Sequence, residues 1–342
     1  MNEMLQLIFH RVEEGVDDRL ATFLNGLRPQ TLEYFETISL IDIGPQSFLA
    51  FSSHHKSLKE LNLSSLANEA VLALPMLKGC SSIETLTLED RFGTVDLEAT
   101  HNEVFLEVIA WLRTCSNLMD LTIRDFVNGP AIVTPLLLEN NTHLQSLDVE
   151  GYSMRDNRDF HQALGQQTSL ESVILKGDGE DVFRDDLDAL VDSLSRLSNL
   201  RTLRLLELCD YFKDEHICKL AQHLSCLEEL WTGGLEITDA IWRDVGRLRN
   251  LRNLTFSAMT SFTMDSLLDF ISYLGPGNTG FVLSVESASP ESKLTEDEMA
   301  IISETISAKV KGEFIYVLYR GRRALQMSIL SLVSTAKIAH RS

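Results

Sequence analysis

His216 and His223 lie seven residues apart in a segment with helical periodicity, and two imidazoles so placed could hold a metal ion. A site would also need a carboxylate or thiolate at a matching offset around both, and none stands there, so the pair reads as structural. Lys176-Gly-Asp-Gly-Glu-Asp181 gathers carboxylates but lacks the twelve-residue order and closing Glu of an EF-hand loop. The cysteines Cys80, Cys115, Cys209, Cys218 and Cys226 include no C-x2-C pair that a His spacing completes. G-x-S-x-G, P-loop, H-E-x-x-H and dinucleotide patterns are missing. The expectation is a non-enzyme with no catalytic, metal or cofactor-binding residues. The chemistry that remains is surface recognition, and it depends on which elements aim which side chains outward.

Those elements are repeats. Leu200, Leu203 and Leu205 have the spacing L-x-x-L-x-L, which returns in SLKELNL (57–63), SIETLTL (82–88), NLMDLTI (117–123), HLQSLDV (143–149), SLESVIL (169–175) and NLRNLTF (250–256). Seven such stretches in series point to an α/β fold, a right-handed leucine-rich-repeat solenoid or horseshoe. Between them, Leu187, Leu190 and Leu194, then Ile217, Leu220 and Leu224, fall at helical spacing. Each unit therefore reads as strand, turn and helix, with a parallel sheet on the concave side and helices on the convex side. Eleven units are expected over residues 32–320, about 28 residues apart. The first is a degenerate one anchored on Phe35, Ile38 and Leu40. The last two begin with Gly280 and Gly312 in place of the first Leu, so Ile315 and Val317 fall at anchor positions. Residues 1–31 are expected to form a cap of two short helices, the first carrying Leu5, Ile8 and Val12. Residues 321–342 are expected to form a C-terminal cap helix with Leu325, Met327, Ile329, Leu330 and Val333 as its apolar positions, behind the basic cluster Arg320, Arg322 and Arg323. The Asn or Cys usual after such strands is replaced by Leu66, Phe126, Tyr152, Leu208, Leu235 and Met259, so the turns must find hydrogen bonds from water or helix N-termini.

In such a strand the leucines point inward and the residues between them outward. One outward row is Asn62, Thr87, Thr122, Asp148, Ile174, Arg204, Trp231, Thr255 and Ser284. A second is Ser64, Glu89, Arg124, Glu150, Lys176, Leu206, Gly233, Ser257 and Glu286. Ile174, Leu206 and Trp231 form an apolar island flanked by Arg204 and Lys176, with Asp148 and Glu150 beside it. Trp and Arg dominate interface energetics, so these seven residues are the candidate partner-binding set.

The 342 residues carry 30 Lys and Arg against 50 Asp and Glu, a formal charge of −20. Such a chain repels phosphate and favours a basic protein partner over nucleic acid. No apolar run is long enough for a membrane span and no signal-peptide pattern opens the chain, so the expected location is cytoplasm or nucleus. The stretches 23–36, SLKELNL (57–63) and LKGCSSIETL (77–86) carry a likeness that covers roughly residues 20–320. On these the chain resembles the repeat region of fungal F-box proteins of the ribonuclease-inhibitor-like class. The resemblance implies a substrate-recognition subunit of a cullin ubiquitin ligase, docked through a Skp adaptor. The expected Leu-Pro start, Val-Cys-x-x-Trp run and closing Leu-Trp of an F-box are not found in the N-terminal residues, so no adaptor-binding residue carries over. Three expectations follow: a protein-interaction scaffold, a ligase substrate-recognition subunit, or an inhibitor of a basic enzyme.

Overall fold

The computed structural model describes residues 5–9, 15–38, 42–139, 143–179, 184–208 and 211–319. Among them run twelve strands: β1 (Leu5–Phe9), β2 (Leu32–Thr37), β3 (Glu60–Leu66), β4 (Thr85–Asp90), β5 (Asp120–Arg124), β6 (Ser146–Tyr152), β7 (Ser172–Gly177), β8 (Thr202–Leu206), β9 (Glu229–Thr238), β10 (Asn253–Ser261), β11 (Val282–Ala288) and β12 (Glu313–Leu318). They form one sheet in sequence order, β1 to β12, and every neighbouring pair is parallel. Helices fill the connections on one side. This is a leucine-rich-repeat solenoid, right-handed as strand–helix–strand crossovers are.

The alternation of apolar and polar residues sets which face is buried. Leu61, Leu86, Leu121, Leu147, Val173, Leu203, Leu230, Leu254 and Leu283 stand one behind another in register. Each is at most 1% exposed. Burying one such side chain contributes about 2 kcal/mol. From the other side Leu187, Leu190 and Leu194 of helix Arg184–Leu194 close the core, as do Ile217 and Leu220 of helix Asp214–His223. Cys80 and Cys115 are buried in this core, where burial pushes both thiols up to about 12, beyond the reach of ordinary thiolate chemistry.

The turns are held by backbone. On entry to the strands the carbonyls of Lys59, Glu84, Met119, Gln145, Glu171, Arg201 and Glu228 each accept two consecutive N–H groups of the next unit, at 2.7–3.1 Å. On exit, the residue two past the last anchor takes the left-handed conformation: Ser65 (φ 57°), Asp125 (φ 59°), Gly151 (φ 77°), Glu207 (φ 49°) and Gly234 (φ 130°). That twist points Leu66, Phe126, Tyr152 and Leu208 into the core. It also lines up backbone groups of neighbouring turns, as in Arg91 N–H to Leu66 C=O (2.9 Å) and Asp178 N–H to Tyr152 C=O (3.0 Å). At Leu66 and Tyr152 main-chain bonds between turns replace the missing Asn, whereas at Phe126 the carbonyl accepts the Gly129 N–H (3.0 Å) at the N-terminus of helix Gly129–Leu137, as expected. Gly234 is required, since a Cβ there would meet the Phe212 carbonyl oxygen at 2.4 Å.

Both ends depart from the sequence reading. Leu5–Phe9 is a strand paired with β2, not a cap helix; a five-residue segment with four apolar residues does not distinguish the two by periodicity. The second expected helix is present as Val16–Gly26. Phe35 pairs with Leu61, so the anchors of β2 are Leu32, Phe35 and Thr37, while Ile38 is exposed; Leu40 lies outside the described residues. At the other end Phe314 pairs with Leu283, and Ile315 with the outward Ser284. The register is one residue off the expected one, which turns Ile315 and Val317 outward and packs Phe314 and Tyr316 against the core. The expected C-terminal helix (321–342), the basic cluster before it and part of the 176–181 loop lie outside the described residues.

Candidate protein-binding face

Strand register places the outer residues in lines. Glu36, Asn62, Thr87, Thr122, Asp148, Ile174, Arg204, Trp231, Thr255, Ser284 and Ile315 follow one another across the sheet, each paired with the next. Glu89, Arg124, Glu150, Lys176 and Leu206 form a second line. Gly233 pairs with Ser257, but register shifts in β3 and between β10 and β11 leave Ser64 and Glu286 off one continuous line. The seven candidates Asp148, Glu150, Ile174, Lys176, Arg204, Leu206 and Trp231 fall together on β6–β9 as a patch two rows deep.

Trp231 is half-buried at the end of that patch. Its Nε1–H donates to Ser257 Oγ at 2.9 Å, and the Ser257 hydroxyl donates in turn to a carboxylate oxygen of Glu286. On the other side the Arg204 guanidinium carbon lies 5.9 Å from the ring centroid, a cation–π contact of about 0.5–1 kcal/mol at such exposure. Arg204 Nε–H donates to Glu229 Oε1 at 2.7 Å. The indole is thus held by Arg204 and by Ser257, and Arg204 is partly neutralised by Glu229. Ile174 and Leu206 on the neighbouring strands are half-buried too.

The other side of the patch is ionic. Arg124 Nη2–H donates to Asp148 Oδ2 at 2.6 Å, and Arg124 Nε lies 2.9 Å from Glu150 Oε1. The second contact is off the hydrogen-bonding angle and acts as an ion pair only. Asp148 is 4% exposed, and its Oδ1 has no hydrogen-bond partner. An unsatisfied buried polar atom of this kind costs about 1–3 kcal/mol. Burial, and then the neighbouring Asp148 charge, raise the Glu150 carboxyl above the usual glutamate range; Arg124 and Lys176 pull it back. Towards the N-terminus the same face carries Glu36, Glu60, Glu89 and Asp120.

The sequence missed the supports of this patch. Glu229 sits one row before Trp231, and only the β8–β9 register brings it to Arg204. Arg124 falls on the second outward row, and its bridge to two carboxylates on β6 needs the lateral stacking of strands. The clue was available in the two-residue spacing of Asp148 and Glu150 opposite Arg124.

His54, His161 and His216 make structural contacts. His54 Nδ1 lies within 3.4 Å of the Thr31 and Leu32 amides. His161 is fully buried beside Tyr152 Oη, and burial lowers its pKa to about 4. His216 contacts Asp188 at 3.2 Å. Among the described residues, no group of three or more His, Cys, Asp or Glu could hold a metal ion. A groove of about 430 Å³ opens between helices Arg158–Leu164 and Arg184–Leu194, lined by Arg158, Gln162, Gln166, Asp188, Asp192 and Arg196 among others. It lies on the helical side, and Asp188 and Asp192 are engaged by His216 and Lys219 of the next helix. No helix among the described residues is long and apolar enough to cross a membrane.

No protein-family model matches the chain, and no curated protein matches it by sequence. Among solved structures, a chain of the Rad7 and Elc1 complex in yeast is similar at 14% identity and a TM-score of 0.47, covering 84% of this chain and 70% of that one. An internalin (inlF) from Listeria monocytogenes is similar at 14% identity and a TM-score of 0.33, covering 68% and 76%. Likeness at this level carries no functional assignment.

Proposed function

We propose that the protein is a non-catalytic interaction scaffold that binds a protein partner on its concave sheet, over Asp148, Glu150, Ile174, Lys176, Arg204, Leu206 and Trp231. The observation that carries this is Trp231, held half-exposed on β9 between Arg204 and Ser257. A rigid aromatic beside arginine and aliphatic neighbours is the composition of an interface centre. The acidic residues on the adjoining strands fit a basic partner. The scaffold works in the cytoplasm or nucleus.

The test is affinity capture with the wild-type chain, Trp231→Ala and a convex control, Leu106→Ala, which is exposed on helix Asn102–Thr114. A partner lost with Trp231→Ala and kept with Leu106→Ala supports the concave face; equal retention by all three sinks it. The captured partner separates the finer readings. A Skp adaptor with a cullin supports the ligase substrate-recognition role, and a basic enzyme inhibited by the chain supports the inhibitor role.

A further inference from the structure

The ionic side of the patch contains a carboxylate that the protein does not fully use. Asp148 is 4% exposed, with Oδ2 bonded to Arg124 and Oδ1 without a partner. Glu150, two residues on and on the same face, shares Arg124 through an ion pair. Glu89 stands in register with Arg124 on the opposite side. One guanidinium therefore faces three carboxylates, and the cluster keeps an excess of negative charge next to the apolar island. Lys176, in register with Glu150, offsets part of it.

Resting on the concave-face reading above, we propose that Asp148 and Glu150 are the recognition site for an arginine side chain of the partner protein. The incoming guanidinium donates to Asp148 Oδ1 and to Glu150, and the apolar residues around that arginine settle on Ile174, Leu206 and Trp231. Because Oδ1 lies below the surface, the incoming group reaches it as the Arg124 side chain, 40% exposed, swings towards Glu89. One guanidinium replaces another, so the buried carboxylate is never left without a cation. Arginine fits better than lysine because two carboxylates at successive outward positions of a strand need a planar group with several fixed donors, and an ammonium is a single point charge. A basic protein surface fits better than a second copy of this acidic chain, which charge would repel.

The experiment is fluorescence anisotropy on the full chain with two labelled octapeptides, one alternating Arg and Gly and one alternating Lys and Gly. The arginine peptide is expected to bind at least tenfold more tightly than the lysine peptide. Asp148→Asn is expected to weaken the arginine peptide tenfold and to leave the lysine peptide within twofold. Asp192→Asn removes the same charge on the helical side and is expected to change neither. Glu150→Gln serves as the second variant where thermal unfolding shows Asp148→Asn to be misfolded, with the same selective loss expected. Equal binding of the two peptides, no binding of either, or an equal loss with Asp192→Asn overturns the arginine site. If any of these occurs while Trp231→Ala still abolishes capture of the partner, the concave-face reading stands and only this site falls.

Discussion

Strands β3–β6 and β7–β9 share one line of core anchors and present different outer lines. On β3–β6 the first outer line reads Asn62, Thr87, Thr122 and Asp148, with Glu89, Arg124 and Glu150 beside it. On β7–β9 it reads Ile174, Arg204 and Trp231, with Lys176 and Leu206 beside it. Inward positions are set by packing, which on these strands admits apolar side chains of about one size and, at Thr232, a hydroxyl of similar volume. Outward positions carry no such constraint, so their chemistry is free to vary. The first region is polar with surplus negative charge and the second is aromatic and apolar. On the proposed binding face the first would attract a basic partner from a distance and the second would hold it once it has arrived.

The shared core is the part to break first. Leu86→Ala and Leu203→Ala remove equivalent anchors, one from each region, and both are at most 1% exposed. Each is expected to cost about 2–5 kcal/mol, read from the urea midpoint. A cost confined to one of the two would mean that the regions do not share a core of even quality. The next effect separates the faces. Trp231→Ala is expected to weaken partner binding by about 2 kcal/mol, mostly as faster dissociation. The double variant Glu60→Gln, Asp120→Asn is expected to slow association a few-fold at low salt and to have little effect at about 1 M, where the Debye length is near 3 Å. If the acidic pair alters dissociation and Trp231→Ala alters association, the assignment of roles is reversed.

How much of this could be read from sequence follows the same division. The inner line was legible wherever Leu repeated at L-x-x-L-x-L, and the outer line followed from the period of two. Legibility failed in the two end strands, where anchor positions hold Thr or aromatic residues and aliphatic residues stand beside them. Thr37 occupies the third anchor of β2, which moved the first repeat onto Phe35, Ile38 and Leu40. Phe314 and Tyr316 occupy the last strand, and the aliphatic Ile315 and Val317 beside them drew the register one residue away. A slip of one exchanges faces, so a small error of alignment became a complete error of orientation. The left-handed residues Ser65 and Glu207 gave no signal, because neither is Gly, Asn or Asp. Of the candidate face, the positions were legible and the pairings were not, since Arg124–Asp148 and Arg204–Glu229 each join residues about 25 apart in the chain.

The smallest expected effect tests whether the acidic region stores unfavourable charge. Burial and the Asp148 carboxylate hold the Glu150 acid above its ordinary value of 4.5. A raised acid is favoured in its protonated form by the folded chain. Its contribution to stability is therefore full below the ordinary value and is lost as pH rises through the raised one. Glu150→Gln removes that titration, so the wild type is expected to lose stability relative to the variant as pH climbs from 4.5. Trp231→Ala removes no ionisable group, and its stability difference from wild type should stay level across the same window. Thermal melts of the three proteins at half-unit pH steps read both curves. A flat Glu150→Gln difference would mean that Arg124 and Lys176 fully compensate Glu150, and the surplus charge that distinguishes β3–β6 from β7–β9 would then have to reside on Glu60, Glu89 and Asp120 instead.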